Sequence, residues 1–103
     1  MGEFEEFALL AVSALKDEPY GAPIQRFMEA HTGRRVTIGA VYAALARLDA
    51  KGYVRSGLGE ALPVRGGKAR RFYAVTADGT RALKDLRRVR ERMWHVIESA
   101  CRS

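Results

Sequence analysis

Residues 37–52 read TIGAVYAALARLDAKG, and this stretch carries signals for both ends of an α-helix. Thr37 can act as an N-cap, because its side-chain oxygen can accept hydrogen bonds from first-turn amides. Gly52 can end the helix in the left-handed conformation. Apolar residues recur between them at helical spacing, namely Ile38, Val41, Tyr42, Leu45 and Leu48. The pattern therefore predicts a helix that packs one apolar face on a core.

The opposite face of this helix is nearly bare at its start and cationic at its end. It comprises Gly39, Ala40, Ala43, Arg47, Ala50 and Lys51. A bare, partly basic face can lie close against a large anionic surface, and the major groove of DNA admits one α-helix. We interpret the segment as a DNA recognition helix. The alternative is a surface helix that is rich in alanine for helix propensity alone.

Charge is divided unevenly along this 103-residue chain, which has the length of one domain. Residues 1–33 carry two basic and six acidic side chains, whereas residues 34–103 carry sixteen basic and six acidic ones. The formal net charge of +6 favours a polyanionic partner, and we expect the acidic end to face away from it.

A single cysteine and the lack of a long apolar segment predict a soluble, cytoplasmic protein with no membrane partner.

The rest of the chain predicts three further helices and two short strands. Helical spacing covers residues 3–16, and a second helix begins near Ala22 and Pro23. Residues 53–57 and 72–75 are rich in β-formers, and the long loop between them is basic. Thr76 can cap a final helix that runs to about Ala100. The fold class is mainly α (α+β), a winged helix-turn-helix at residues 1–76 followed by a dimerisation helix at residues 77–103.

Dimerisation is predicted from the final helix, whose apolar residues follow alternating steps of four and three, the spacing of a helix seam. A helix of about 22 residues is about 33 Å long, too long for a three-helix body to cover. A second copy of the chain is therefore expected to cover it. The predicted interface consists of Leu86, Val89, Met93, Trp94, Val96, Ile97 and Ala100.

The chain resembles the PadR family of bacterial transcriptional regulators over nearly its whole length. The residues that carry the resemblance are Leu9-Leu10, Tyr20-Gly21, Gly39, Val41-Tyr42, Leu45, Arg47-Leu48, Lys51-Gly52-Tyr53-Val54, Gly67-Lys68, Arg70-Arg71-Phe72-Tyr73, Val75-Thr76 and Gly79. The resemblance implies a homodimeric repressor with a winged-helix DNA-binding domain, in the short branch with one helix after the wing. The chain departs from the family at Ala22-Pro23, where many relatives carry an aromatic residue, and in a longer wing.

Three segments supply the predicted contacts with double-stranded DNA. The recognition helix contributes Thr37, Gly39, Ala40, Tyr42, Ala43, Arg47 and Lys51. The wing contributes Arg65, Lys68 and Arg70, and the flanks of the helix-turn-helix contribute Tyr20, Arg34 and Arg35. The alternative for Tyr42 is packing in the core, and the alternative for the flanking arginines and the wing is a solvated charged surface. The helix offers no Asn or Gln to adenine, so DNA shape and paired half-sites should carry much of the specificity.

An effector site is a further prediction at Trp94, which otherwise packs in the seam. In some short family members that resemble this chain, aromatic residues of the last helix line a pore at the dimer interface that accepts flat hydrophobic compounds. Phe4 and Phe7 are candidates for its other wall.

His31 and His95 lack partners at metal-ligand spacing, and no catalytic constellation is evident, so we predict no metal, cofactor or catalysis. Cys101 is interpreted as an inert thiol.

The leading hypothesis is a homodimeric repressor that binds a roughly palindromic operator, and its release by a small hydrophobic effector is an additional hypothesis. The alternatives are a winged-helix protein-interaction module without specific DNA binding, and a nonspecific architectural DNA binder. Binding to duplex DNA, and its dependence on sequence, distinguishes the three.

Overall fold

The computed structural model describes residues 1–17, 19–61 and 69–101. The elements in chain order are α1 (Glu3–Ala14), α2 (Gly21–Thr32), α3 (Ile38–Ala50), β1 (Val54–Ala61), β2 (Ala69–Val75) and α4 (Ala77–Cys101). β1 and β2 pair antiparallel in a two-stranded sheet. The predicted fold class and the predicted order of elements are confirmed.

The two strands are longer than the sequence predicts, and α1 is shorter. α1 ends at Ala14, two residues before the predicted end, and Asp17 then adopts a φ of 70°. β1 continues past Gly57 to Ala61, and β2 already begins at Ala69, with a register shift between Leu58 and Ala61. The added segments include residues that have a low intrinsic preference for strands. They still extend the hairpin, because each strand supplies hydrogen-bond partners to the other.

α1 is the central element of the packing, since it contacts α2, α3, α4 and β2. Its residues Ala8 and Ala11 are fully buried, and their small side chains let neighbouring helices approach closely. The core around them is formed by Ala8, Leu9, Ala11, Val12, Ile24, Met28, Val36, Val41, Ala44, Leu45, Leu48, Val54 and Tyr73. The four α3 residues of this set all lie on one helical face, so the opposite face of α3 is turned outward.

Both predicted ends of α3 are confirmed. The Oγ1 of Thr37 accepts a hydrogen bond from the amide of Ala40 at 3.2 Å, as an N-cap does. Gly52 follows the helix with a φ of 77°, in the left-handed region. The amide of Gly52 donates to the carbonyl of Asp49 at 2.9 Å. The outward face of α3 is therefore held between two defined ends.

α4 begins on the body of the molecule and then leaves it. Thr76 ties its start to the end of α3: its hydroxyl donates to the carbonyl of Gly52 at 2.6 Å and accepts from the amide of Gly79 at 3.0 Å. Leu83 packs against the core, but every residue from Arg87 to Cys101 is exposed. The described residues span 66 × 28 × 21 Å, a shape that a helix of about 37 Å projecting from a small body explains.

Among the residues that the structure describes, none of the helices combines the length and the apolar content needed to cross a membrane.

Gly79 is a position where added bulk should destabilise the fold. It is buried in the first turn of α4, and a Cβ there would overlap the carbonyl oxygen of Tyr53 and lie 3.0 Å from Cγ2 of Val75. We expect Gly79→Ala to lower the free energy of unfolding by about 1–3 kcal/mol, measured by urea denaturation. The matched control is Gly39→Ala, where the added Cβ meets no atom within 4 Å and alanine favours the helix by about 0.5–1 kcal/mol. Equal stabilities of Gly79→Ala and the wild type would contradict this account of the packing.

Candidate nucleic-acid interface

The outward face of α3 is a row of residues without large side chains. Gly39, Ala43, Ala46 and Ala50 follow each other at steps of four, three and four, and all four are exposed. We call these four residues the bare row. Ala46 was missed by the sequence interpretation although its spacing reveals it, whereas Ala40 is half-buried at the edge of the row. Nothing lies within 4 Å of a Cβ placed on Gly39, so the backbone of α3 is accessible there.

Two predicted DNA-contacting cations lie on the flank of α3 that faces α1. The Nζ of Lys51 is 2.7 Å from Oε1 of Glu5, and the Nε of Arg47 is 3.6 Å from Oε2 of the same carboxylate. The side chain of Glu5 is 13% exposed, compared with 41% for Lys51 and 54% for Arg47. The two cations therefore remain accessible to solvent, while the carboxylate that pairs with them is largely covered.

Glu5 is charged at neutral pH. The hydrogen bond from Lys51 lowers the pKa of the Glu5 carboxyl below 4.5, and the charges of Lys51 and Arg47 act in the same direction, while desolvation opposes them. A lowered pKa in the folded state means that the ion pair stabilises the fold above pH 4.5, and that this contribution is lost as the pH falls through the lowered pKa.

Arg34, which precedes α3, is also close to the first turn of α1. Arg34 donates from Nη1 to Oε1 of Glu3 at 2.8 Å, and its guanidinium lies 6.0 Å from the ring centroid of Phe7. Arg35 is exposed. The expectation that the acidic end of the chain faces away from the basic surface is wrong for Glu3 and Glu5. The packing of α1 against α3 places both carboxylates beside cations of the predicted interface.

Two tyrosines border α3 and the start of α2. Tyr42 is 45% exposed, and its ring lies against the backbone of Gly21, where a Cβ would overlap the phenol group. Tyr42 therefore packs on the first turn of α2 and not inside the core, so the core-packing alternative is wrong. Tyr20 is half-buried and meets the ring of Phe72 edge-on, with the ring centroids 6.1 Å apart. The close contact of Tyr42 gives a physical reason for glycine at position 21.

The described part of the hairpin is connected to α3 through polar side chains. Arg71 donates from Nη1 to the Oγ of Ser56 at 3.1 Å, and Ser56 donates to Oδ2 of Asp49 at 3.2 Å. This chain of bonds links β2 to β1 and β1 to the third helix. The predicted contacts at Arg65 and Lys68 lie outside the described residues. The backbone of Arg70 belongs to β2, but its side chain lies outside the part of the chain that the structure describes.

The predicted dimer interface lies on the projecting part of α4. Val89, Met93, Trp94, Val96 and Ile97 are between 41% and 67% exposed, whereas Leu86 is half-buried and Ala100 is exposed. Arg90 interrupts this apolar stripe, and the sequence interpretation gave it no role. Its Nη2 donates to Oε1 of Glu6 at 2.6 Å, and the Glu6 side chain is only 9% exposed. This pair joins α4 to α1 at the point where α4 leaves the body.

The three predicted effector residues have different environments in one protomer. Trp94 is 60% exposed on the projecting helix. Phe7 lines a groove of about 480 Å³ between α1 and α2 with Leu10, Phe27, Met28, His31, Thr32 and Arg34, and Trp94 is not part of that lining. Phe4 packs against the core. The effector site thus stays a prediction.

Within residues 1–17, 19–61 and 69–101, no group of three or more His, Cys, Asp and Glu side chains could hold a metal ion. Cys101 is exposed at the end of α4.

The three packed helices, the antiparallel hairpin and the long last helix together form a winged-helix protein with a projecting C-terminal helix. The chain belongs to the PadR-like transcriptional regulator family, whose model matches residues 9–85. The predicted family is therefore confirmed. A search of curated proteins returns no match.

Solved structures support the same fold. A PadR-like transcriptional regulator from Bacillus cereus superposes with a TM-score of 0.72 at 19% identity, covering 96% of this chain and 91% of that one. A PadR family regulator from Clostridium difficile gives a TM-score of 0.68 at 21% identity, with coverages of 96% and 94%. A PadR family regulator from Eggerthella lenta gives 0.63 at 26% identity, with coverages of 90% and 75%.

Proposed function

We propose that this protein is a homodimeric, sequence-specific DNA-binding repressor. The observation that carries the proposal is the bare row of α3, accessible along its whole length and flanked by the half-exposed cations Arg47 and Lys51. α3 is the second helix of the helix-turn-helix formed by α2 and α3, the position from which such proteins insert a helix into the major groove. Because the bare row has no large side chains, this face of α3 can approach the floor of the groove closely.

The contacts divide into base readout and backbone contacts. Gly39 and Ala43 lie where base edges would be met, and an alanine methyl can pack on the methyl group of thymine. Thr37 accepts the capping hydrogen bond and can still donate its hydroxyl hydrogen to a phosphate. Further backbone contacts are proposed for Tyr20, Arg34, Arg35, Tyr42, Arg47, Lys51, Arg65, Lys68 and Arg70. The small number of base contacts leaves a large share of specificity to DNA shape.

The dimer is proposed to form through the projecting half of α4. Exposed apolar side chains gathered on one face of a projecting helix are typical of an interaction site, and the stripe has seam spacing, which a second copy of the same helix can match. The interface would comprise Leu86, Val89, Met93, Trp94, Val96, Ile97 and Ala100. A two-fold dimer presents two copies of α3, which matches a palindromic operator with half-sites about one helical turn apart.

A flat hydrophobic compound is the proposed effector. This proposal is supported by the exposed indole of Trp94, which lies beside Met93 and Ile97 on the same stripe. Phe4 and Phe7 are the proposed second wall of the effector site.

We also propose that the boundary between the two domains follows residue 76 and that the protein is cytoplasmic.

Specific DNA binding is tested on the DNA upstream of the protein's own gene. We expect a protected, roughly palindromic site at physiological salt, and weaker binding by Arg47→Gln. The slope of log affinity against log salt concentration should fall by about 0.9 for each phosphate that the variant no longer neutralises, because fewer counterions are released. The matched control is Arg87→Gln, which removes the same charge from an exposed ion pair on α4. Equal slopes for the two variants would contradict the contact of Arg47 with DNA.

The wild-type protein distinguishes the alternative functions in the same experiment. Absence of duplex binding would favour a protein-interaction module, and equal binding to scrambled sequence would favour an architectural DNA binder.

Dimerisation is tested by sedimentation equilibrium. The wild type should have twice the chain mass of 11.4 kDa. Ile97→Asp should shift the protein towards the monomer, because it places an unpaired charge in the proposed apolar interface. The matched control is His95→Asp, which introduces the same side chain on the other side of α4 and should remain dimeric. A monomeric wild type at micromolar concentration would contradict the proposed interface.

A further inference from the structure

The first turn of α1 pairs with cations from three other parts of the chain. Glu3 pairs with Arg34 before α3, and Glu6 pairs with Arg90 of α4. Glu5 pairs with Arg47 of α3 and with Lys51, the C-cap residue of α3. An acidic first turn is favoured by the helix dipole. The dipole does not explain why one of these carboxylates lies between the two cations that flank the bare row.

Glu5 engages both cations at once, through different oxygens. Its Oε1 accepts a hydrogen bond from Lys51 at 2.7 Å, and its Oε2 lies 3.6 Å from the Nε of Arg47. The carboxylate is 13% exposed, whereas both cations are about half-exposed. The pairing therefore holds the two cations from the protein side and leaves their outer sides accessible.

The donors that Glu5 does not use suffice for DNA. An ammonium group has three hydrogens, one of which serves the bond to Glu5, and a guanidinium paired through Nε can still donate through Nη1 and Nη2. Both cations can thus contact a phosphate without leaving Glu5, provided that the phosphate lies where those donors point. A phosphate elsewhere along the flank can be reached only by breaking the pair.

Whether the cations must leave Glu5 to reach a phosphate should differ between operator DNA and other duplex DNA. When α3 sits in its own site, the phosphates lie in one fixed register relative to Arg47 and Lys51. Nonspecific binding consists essentially of phosphate contacts in many registers, and it depends on long cationic side chains that can adapt. A carboxylate that restrains those side chains, and also repels phosphate, lowers nonspecific affinity more than operator affinity.

We propose that Glu5 is a specificity-determining residue, which restrains Arg47 and Lys51 so that they fit operator phosphates and bind other duplex DNA poorly. The inference rests on the proposed DNA-binding function. According to this inference, a residue outside the helix-turn-helix controls the ratio of the affinity for the operator to the affinity for other duplex DNA.

The test measures the affinity of the full-length protein for its operator and for a random-sequence duplex of equal length, by fluorescence anisotropy at several salt concentrations. Glu5→Gln should raise affinity for the random duplex by about fivefold or more, with a slope steeper by about 0.9 for each additional phosphate neutralised. Operator affinity should rise less or fall, so the ratio of the two affinities decreases.

Two matched variants separate restraint from net charge. Glu91→Gln changes the net charge equally but breaks an exposed pair with Arg87 on α4, and it should leave the ratio unchanged. Glu5→Asp keeps the charge but shortens the side chain, so it cannot hold both cations and should lower the ratio in the same direction as Glu5→Gln. Adding Lys51→Gln to Glu5→Gln should remove most of the increase in affinity for the random duplex.

Failure of the inference is distinguishable from failure of the proposed function. If the wild type binds no duplex DNA, the proposed function is wrong. If the wild type prefers its operator but Glu5→Gln changes both affinities by the same factor, or behaves as Glu91→Gln does, the role of Glu5 is wrong. A thermal melt of each variant establishes whether it is folded. If Glu5→Gln is not folded, Glu5→Asp decides the question through the same ratio.

Discussion

Burial of one face of α3 against α1 is the constraint on which the rest of the structure depends. Val41, Ala44, Leu45 and Leu48 are fully buried, and each large aliphatic side chain among them stabilises the fold by about 1.5–3 kcal/mol. Rotating α3 about its axis would expose these residues, so the orientation of the helix is fixed by its hydrophobic face. The bare row is exposed as a consequence. Access to the outer face is therefore determined by the core beneath it.

α1 also connects the two surfaces to which we assign function. Glu5 of α1 pairs with Arg47 of α3 and with Lys51, its C-cap residue, and the next residue, Glu6, pairs with Arg90 of α4. The Glu6–Arg90 pair is largely covered at Glu6, where an unpaired carboxylate would be unfavourable. Together with the bonds of Thr76 to Gly52 and Gly79, it fixes the direction in which α4 leaves the body. The separation of the two recognition helices in a dimer would follow from that direction.

Local signals made much of this structure predictable. The capping residue Thr37, the left-handed Gly52 and the spacing of Leu45 and Leu48 depend on near neighbours in sequence, and the structure bears them out. The strand ends were not predictable, since β1 and β2 extend through pairing with each other beyond the residues that favour strands. Pairs such as Glu5–Lys51 and Glu6–Arg90 join residues 46 and 84 positions apart, so they follow from helix packing, which local sequence does not encode.

The most direct measurement of the central claim, that the bare row enters the DNA groove, is site-directed cleavage. An iron chelate that generates hydroxyl radicals is attached at Ala50→Cys, the last residue of the bare row, in a protein whose native thiol is removed by Cys101→Ser, and the cleavage sites on both operator strands are then mapped. The account predicts two clusters of cleavage about one helical turn apart, and no cleavage from the same chelate at Ser13→Cys, an exposed position of α1. Equal cleavage from both positions, or cleavage from Ser13→Cys alone, would contradict it.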